Sequence, residues 1–455
     1  MSSPAPRNFR PKLHFTPPSM WMNDPNGLFY TDGTYHLYYQ YNPGDTVWGP
    51  MHWGHAISKD LYHWEHCPIA MKPDELGTIF SGCAVLDIDN VSGFGENGRP
   101  PLLIFYTNDG ECECQSMAYS LDGGMTFTRY SGNPILGNPG VNDYRDPKVF
   151  RNPVRGGYSM IVSAHDRAMF YHSTDLKHWE KTGECKPTPE QIHNADIWEC
   201  PDIFPMECGG KTVWVLVVSM IFFGEGHENH MLYLTGTFDG DAFLPDEGAV
   251  AERVDCGFDC YAGSTYWGTE EKILINWENC PDYAGQVPTG EYCGQMSLPR
   301  VLRLQETPAG KKLAARPFGM EKIFEDAKPF DGCLTGETFA LRITGEGSGS
   351  VTLENDSGER VTFGVDEENH VYVDRSASST LQIDNPNWPL MQKSRQPRFY
   401  HGCWMIDVVF DVSVLELYCD DGTRCFSNVL FPTHPYEHLT VTGDCQVCIN
   451  DFPTD

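Results

Sequence analysis

The sequence has no run of eighteen or more apolar residues, which is roughly what an α-helix needs to span a bilayer. Its first residues, MSSPAPRNFRPKLHF, lack the apolar core of a secretion signal, so we expect a cytoplasmic chain, with secretion of a mature chain left open. Positive charge is scarce, with 32 Lys and Arg against 63 Asp and Glu. Nucleic acid and anionic membranes both require basic patches, so neither is an expected partner.

Amphipathic helical repeats are nearly absent, whereas short apolar and aromatic runs recur between Gly, Asp, Asn and Pro, a pattern typical of β-strands. The 17 cysteines do not have the spacing of a disulfide framework, so we expect free thiols. Two weak metal candidates are the pair Cys112 and Cys114 and the acidic loop with His227 and His230. A thiol or metal protein therefore stays an alternative, but we predict neither a metal nor a cofactor.

One local signature occurs four times. A Ser or Thr is followed two residues later by Asp and then by an aromatic residue, and the aspartates are Asp60, Asp122, Asp175 and Asp239. Each interval between them is long enough for one four-stranded sheet with long loops. The Ser and Asp can cap a turn while the aromatic packs beneath it. With residues 258–304 as a fifth unit, the signature predicts a five-bladed β-propeller.

The composition changes after the fifth unit. From about residue 332 the chain alternates short strand-like runs with Gly and Asp turns, which is typical of a β-sandwich. We therefore expect an all-β chain with a five-bladed β-propeller over residues 1–315, a linker over 316–331 and a C-terminal β-sandwich over 332–455. The sandwich is a possible homodimer surface.

Three acidic motifs fall in different predicted blades. They are MNDPNG with Asp24, YRDPKVF with Asp146 and WECPDIF with Glu199. Each acid is followed by Pro within two residues, and we expect the residue before that Pro to be extended at the mouth of the channel. Any one of them could be a turn-capping acid. Innermost propeller strands converge on a central channel, however, so the three together indicate one catalytic site.

These motifs resemble the signatures of glycoside hydrolase family 32, the invertases, fructosidases and inulinases. The likeness runs from about residue 14 to 300 and includes YHLYYQYNP, IFSGCAV, GFDCYAGSTY and MSLPR. It implies a retaining β-fructofuranosidase that releases terminal β-D-fructofuranosyl units from sucrose or short fructo-oligosaccharides without a cofactor. It also implies Asp24 as the nucleophile, Glu199 as the acid and base, and Asp146 as the residue that holds fructose hydroxyls and stabilises the transition state.

The resemblance further implies which residues line the fructose pocket, where Arg145 would bind hydroxyls and offset negative charge. These residues are Asn23, Gln40, Trp48, Phe80, Ser81, Arg145 and Trp277. Trp48 and Trp277 would offer apolar faces to a sugar, although Trp48 or Phe80 could instead be core residues.

Two positions depart from the family pattern. Cys260 stands where Phe is usual and Asn276 where Gly is usual, and we expect both on the leaving-group side of the pocket. Two other functions stay open at this point. One is a fructosyltransferase acting on sucrose, and the other is a catalytically dead carbohydrate-binding protein.

Overall fold

The computed structural model describes residues 7–192, 196–223, 229–332, 334 and 336–452. Over these residues the secondary structure consists almost entirely of β-strands. The short helical segments there are α1 (Glu321–Glu325) and two 3-10 turns, Ala284–Gln286 and Trp388–Leu390. Within the described part of the chain, no helix has the length and apolar character needed to cross a bilayer.

The first part of the chain forms five antiparallel sheets. Blade one contains β1 (Met20–Thr31), β2 (Thr34–Asn42), β3 (His52–Ser58) and β4 (Trp64–Met71). Blade two contains β5 (Thr78–Leu86), β6 (Leu102–Asp109), β7 (Cys114–Ser120) and β8 (Thr128–Arg129). Blade three contains β9 (Tyr144–Arg151), β10 (Tyr158–Ala164), β11 (Ala168–Ser173) and β12 (Glu180–Cys185).

The remaining two blades follow in the same way. Blade four contains β13 (Ile197–Cys208), β14 (Lys211–Ile221), β15 (His230–Phe238), β16 (Phe243–Pro245) and β17 (Glu252–Arg253). Blade five contains β18 (Tyr261–Thr265), β19 (Ile273–Trp277), β21 (Arg300–Thr307) and β22 (Gly310–Pro317), and the short β20 (Tyr292–Cys293) lies between β19 and β21 in the chain.

The five sheets form a closed ring. The first strands of neighbouring blades contact one another in the order β1, β5, β9, β13, β18 and back to β1. In addition, β20 leaves blade five and pairs in parallel with β1, with Met20 opposite Tyr292 and Trp21 opposite Cys293. The last blade is thus attached to the first by backbone hydrogen bonds, and the prediction of a five-bladed β-propeller is confirmed.

The repeated signature marks the turn between the third and fourth strands of blades one to four. In blade three, Asp175 Oδ1 accepts hydrogen bonds from the backbone N–H groups of Lys177 (2.9 Å) and His178 (2.8 Å). Ser173 Oγ accepts one from the N–H of Leu176 at 2.8 Å. The corresponding turn of blade five lies between β21 and β22 and has the sequence Thr-Pro-Ala-Gly, so it lacks the signature aspartate.

Each innermost strand has a β-bulge at the same level of the ring. The pairing register shifts between Met22 and Pro25 in β1, Ile79 and Gly82 in β5, Arg145 and Lys148 in β9, Glu199 and Asp202 in β13, and Tyr261 and Ser264 in β18. Pro25, Pro147 and Pro201 stand in three of these bulges, where no ladder N–H is needed.

The expectation of an extended residue before each Pro is wrong at two sites. Asp146 has φ = 66° and Cys200 has φ = 46°, both in the left-handed region. A bulge of this kind turns the strand sharply, and a polar or small side chain tolerates the left-handed conformation better than a branched one does.

The C-terminal part is a β-sandwich, as predicted. Its strands are β23 (Lys328–Pro329), β24 (Thr338–Glu354), β25 (Arg360–Val365), β26 (His370–Ala377), β27 (Lys393–Pro397), β28 (Trp404–Asp411), β29 (Val414–Cys419), β30 (Arg424–Val429) and β31 (His438–Asp451). The long strands β24 and β31 pair with each other and belong to both layers of the sandwich. The register of this pairing shifts between Gly345 and Gly349. The predicted boundary at residue 315 lies within β22, and the predicted linker contains α1 and β23.

Blade five and the N-terminal segment pack against the sandwich through buried polar contacts. Arg375 Nη1 of β26 lies 2.6 Å from Asp259 Oδ2, and Arg300 Nη2 lies 3.0 Å from Glu416 Oε1. Asp411 accepts hydrogen bonds from the backbone N–H groups of residues 12–14. The sixteen cysteines in the described ranges are all free, and Cys333 lies outside those ranges.

Candidate active site

One cavity of about 400 Å³ lies where the five innermost strands converge. All ten residues that the sequence predicted for the site line it: Asn23, Asp24, Gln40, Trp48, Phe80, Ser81, Arg145, Asp146, Glu199 and Trp277. Four further lining residues were not singled out from the sequence: Trp21, Ile221, Tyr261 and Pro281. A larger groove of about 910 Å³ lies mainly on the sandwich and includes none of these residues.

Asp24 is held by hydrogen bonds to both carboxylate oxygens. Ser81 Oγ donates to Oδ2 at 2.6 Å, and Asn23 Nδ2 donates to Oδ1 at 2.9 Å. Asn23 is itself fixed by the indole N–H of Trp21, which donates to its Oδ1 at 2.7 Å. Burial and the nearby charge of Glu199 raise the pKa of Asp24, whereas the hydrogen bond from Ser81 opposes that rise.

Asp146 is almost completely buried, with 6% of its surface exposed. Its Oδ2 accepts a hydrogen bond from the backbone N–H of Cys200 at 2.8 Å, and its own N–H donates to Thr107 Oγ1 at 2.9 Å. Burial first, and then the charge of Glu199, raise the pKa of Asp146 in spite of the neighbouring Arg145.

Both carboxylate oxygens of Glu199 also have donors. Arg145 Nε and Nη2 lie 3.0 and 2.9 Å from Oε1, and the hydroxyl of Tyr261 donates to Oε2 at 2.6 Å. On its other side, Arg145 Nη1 contacts Glu113 Oε1 (2.5 Å) and Asp143 Oδ1 (3.0 Å). The contacts of Arg145 are with three carboxylates, so it orients Glu199, and its binding of fructose hydroxyls stays a prediction.

Cys200 joins two of the acids. Its thiol lies 3.3 Å from Asp24 Oδ2 and 3.6 Å from Asp146 Oδ2. Burial and these acids raise the pKa of the Cys200 thiol well above its usual range, so the thiol keeps its proton and can donate it. Cys200 belongs to the motif WECPDIF, but the sequence did not predict it as a site residue. Its position between Glu199 and Pro201 was the signal that could have identified it.

The aromatic residues lie at different depths. Trp48 is 57% exposed and stands edge-on to Phe80, with ring centroids 6.0 Å apart. Trp277 is only 3% exposed and lies 5.8 Å from the ring of Trp21. Trp48 therefore forms the rim of the cavity and Trp277 part of its wall. Gln40 is also buried, and its side-chain amide donates to Asn26 Oδ1 at 2.7 Å.

The two departures from the family pattern do not face the cavity, so the expectation for them is wrong. Cys260 is 4% exposed and its sulfur packs against Met231 Sδ at 3.6 Å. Asn276 is fully buried, and its side-chain amide donates to the carbonyl of Trp277 at 3.0 Å. Of the weak metal candidates, His227 lies outside the described residues, while Cys112 is exposed and Cys114 is buried.

Comparison with known proteins gives two family matches. Residues 14–317 match the glycosyl hydrolases family 32 N-terminal domain, and residues 326–446 match the family 32 C-terminal domain. The chain is 35% identical to a levanase of Bacillus subtilis over 95% of this chain and 68% of that protein. It is 38% identical to an invertase of Schizosaccharomyces pombe over 66% of this chain and 54% of that protein.

Solved structures show the same architecture. An exo-inulinase from Aspergillus awamori is similar over 98% of this chain and 99% of its own, with a TM-score of 0.89 and 28% identity. A fructofuranosidase from Schwanniomyces occidentalis, complexed with fructose, is similar over 97% and 98%, with a TM-score of 0.88 and 29% identity. Because the two family domains together cover most of the sequence in the expected order, the chain belongs to glycoside hydrolase family 32.

Proposed function

We propose that the chain is a retaining β-fructofuranosidase that releases terminal β-D-fructofuranosyl units from sucrose or short fructo-oligosaccharides. The observation that carries this proposal is the meeting of Asp24, Asp146 and Glu199, from three blades, in one cavity. The levanase, exo-inulinase and invertase that the chain resembles support a fructosyl substrate. A volume of about 400 Å³ is near the lower end for small-molecule sites, which favours a terminal sugar unit over an internal fructan segment.

In the first step, a carboxylate oxygen of Asp24 attacks the anomeric carbon C2 of the terminal fructosyl unit. Glu199 gives its proton to the leaving oxygen as the glycosidic bond breaks, and a covalent fructosyl ester remains on Asp24. In the second step, Glu199 takes a proton from water, the water oxygen attacks C2 and the ester bond breaks. Two inversions at C2 give net retention.

The neighbouring side chains support both steps. Retention requires the two carboxyl groups to lie about 5 Å apart, and Asp24 and Glu199 line the same cavity. Arg145 and Tyr261 fix the orientation of Glu199 for proton transfer to and from the same position. Asp146 accepts hydrogen bonds from fructose hydroxyls, and its charge stabilises the oxocarbenium-like transition state.

Sucrose hydrolysis followed by product analysis tests the reaction. We expect fructose and glucose in equal amounts, and the fructose released first should have the β configuration by NMR, since retention preserves it. Initial release of the α anomer would contradict the double displacement. A large deficit of fructose against glucose would favour transfer to a sugar acceptor. The same assay with inulin-type and levan-type chains ranks the substrates.

Glu199→Gln tests the acid role, because glutamine cannot donate the required proton. Sucrose needs protonation of its leaving oxygen, whereas an aryl fructoside with an acidic phenol does not. We expect kcat on sucrose to fall about 10²–10⁴-fold, with a much smaller loss on the aryl fructoside. Asp24→Asn is the matched control, because loss of the nucleophile should abolish both reactions. Equal losses on both substrates in Glu199→Gln would contradict the assignment.

A further inference from the structure

A second cluster of ionisable side chains lies outside the catalytic cavity, where three parts of the molecule meet. His14 belongs to the N-terminal segment, Glu278 follows β19 of blade five, and Glu416 lies on β29 of the sandwich. All three side chains are completely buried. One ligating atom from each lies within 4.8 Å of the others. None of these residues lines the catalytic cavity.

The distances within this cluster are longer than hydrogen bonds. His14 Nε2 is 3.5 Å from Glu278 Oε2 and 3.5 Å from Glu416 Oε1, whereas N–H···O bonds are about 2.7–3.2 Å long. Ligands of tetrahedral zinc bind at about 2.0–2.2 Å, which separates neighbouring ligand atoms by about 3.4 Å. Nε2 is therefore spaced from each glutamate oxygen as two ligands of one small cation are, and the three atoms lie within 4.8 Å of one another.

The ligating atoms of His14 and Glu278 lack other partners in the described part of the chain. His14 Nε2 and both carboxylate oxygens of Glu278 are buried and have no hydrogen-bond partner among the residues that the structure describes. Leaving a buried polar group without a partner is costly, and the cost is greater for a carboxylate. This arrangement points to a ligand that accepts electron pairs from all three atoms.

Surrounding groups orient two of the three side chains, His14 and Glu416. His14 Nδ1 lies 2.8 Å from Asp411 Oδ2, which leaves the lone pair of Nε2 directed at the two glutamates. Glu416 Oε1 accepts hydrogen bonds from the N–H of Leu298 at 2.9 Å and from Arg300 at 3.0 Å, and its Oε2 accepts one from Tyr418. A carboxylate on the far nitrogen of a metal-bound histidine is a common feature of metal sites.

Carboxyl groups outnumber cationic side chains around the cluster. Asp255, Asp411, Glu278 and Glu416 are fully buried carboxylates, and Arg300 is the guanidinium that pairs with two of them. The cluster thus brings four buried carboxyl groups together with His14 and a single guanidinium. Buried charge of one sign is costly, and a divalent cation would offset part of the negative charge that these carboxyl groups can carry.

We propose that His14, Glu278 and Glu416 bind a divalent transition-metal ion that joins the N-terminal segment, blade five and the sandwich. One imidazole nitrogen with carboxylate oxygens suits zinc, manganese or iron(II) better than calcium, which prefers oxygen ligands alone. The ion stabilises the docking of the two domains, and through Glu278 it also fixes the neighbouring Trp277, which lines the catalytic cavity.

The test is the metal content of the untagged full-length protein, expressed in medium supplemented with zinc and manganese. We expect about one transition-metal ion per chain by inductively coupled plasma mass spectrometry, since a buried ion is incorporated on folding. X-ray absorption should show a first shell of nitrogen and oxygen at about 2.0–2.2 Å with imidazole scattering. Protein with no stoichiometric metal would overturn the proposal and indicate that protons neutralise the cluster.

Glu278→Gln supplies the variant test, because it keeps the shape of the side chain and removes a charged ligand. We expect it to lose the metal and to unfold at a lower temperature than wild type, since an ion bound only by the folded state stabilises that state. His438→Gln is the control: His438 forms an exposed group of the same kind with Asp356 and Glu437, and its loss should leave the metal in place. Metal retained in Glu278→Gln, or lost in His438→Gln, contradicts the assignment. If Glu278→Gln does not fold, the X-ray absorption spectrum of the wild-type protein decides whether the metal has the expected nitrogen and oxygen ligands.

Discussion

Ser81 and Cys200 are the uncharged side chains that contact Oδ2 of Asp24, and they act on its protonation in the same direction. A hydrogen bond donated to a carboxylate stabilises the charged form, while burial and the charge of Glu199 destabilise it. The pKa of Asp24 is therefore raised, but by less than burial alone would raise it. In the proposed mechanism Asp24 attacks in its ionised form, so these two donors would keep it reactive at lower pH.

The first prediction concerns Ser81→Ala. Removing the hydroxyl removes a contact that lowers the pKa of Asp24, so this pKa rises further. Activity is present above that pKa and is lost as the pH falls through it, so the acidic limb of kcat/KM for sucrose should move to higher pH. The pH profile of kcat/KM checks this. Ser120→Ala is a control, because Ser120 donates to an aspartate, Asp122, far from the cavity. An acidic limb that stays in place or moves to lower pH would contradict the role of Ser81.

At the residue scale the sequence predicted ten of the fourteen residues that line the cavity, but not their contacts. The motifs with Asp24, Asp146 and Glu199 are short and contiguous, so they can be read directly from the chain. Tyr261 and Cys200 reach the acids only because β13 and β18 are bulged at the same level. A bulge depends on pairing with a neighbouring strand, and single-residue patterns do not record it.

At the scale of elements, the turn signature was the most informative pattern. Ser and Asp bond to backbone N–H groups only a few residues away, so sequence spacing alone determines the contact. The addition of β20 to blade one was not predicted, because its partner strand lies about 270 residues earlier in the chain and the strand itself has two residues. Local contacts were thus predictable, and long-range strand pairings were not.

The second prediction concerns this turn in blade three. Hydrogen bonds outweigh the effect of burial and lower the pKa of Asp175 from 3.8 to about 2. The ionised carboxylate of Asp175 stabilises the folded state at pH values above the pKa that Asp175 has in the unfolded chain. This stabilisation is lost as the pH falls from about 4 towards 2. The Asp175 side chain is 33% exposed, so solvent screens its charge. We therefore expect Asp175→Ala to lower the free energy of unfolding by about 1 kcal/mol at neutral pH and by less near pH 3. Urea unfolding at both pH values measures this. A cost that is larger near pH 3 would be inconsistent with the lowered pKa.

At the scale of the whole molecule, both domains could be expected from strand patterns, but their interface could not. The contact between Arg375 and Asp259 joins residues 116 positions apart, and both side chains are fully buried. Nothing near either residue in the sequence distinguishes it from a surface charge. Domain docking alone brings the two together, which is why the buried ion pairs of the interface were not predicted.

The third prediction tests how much this interface contributes. Arg375 also donates to the carbonyls of Met391 and Val429 and to the hydroxyl of Tyr283, so Arg375→Met leaves several acceptors and the charge of Asp259 buried. Removing one partner of a buried pair costs about 3–5 kcal/mol, which should lower the unfolding temperature by several degrees. Adding Asp259→Asn should recover part of the loss, because no unpaired charge then remains. Arg395→Met is the control: its partners, Asp366 and Glu368, lie at the surface, and the cost should be below about 1 kcal/mol. Equal shifts for Arg375→Met and Arg395→Met by calorimetry would show that the ion pair does not hold the domains together.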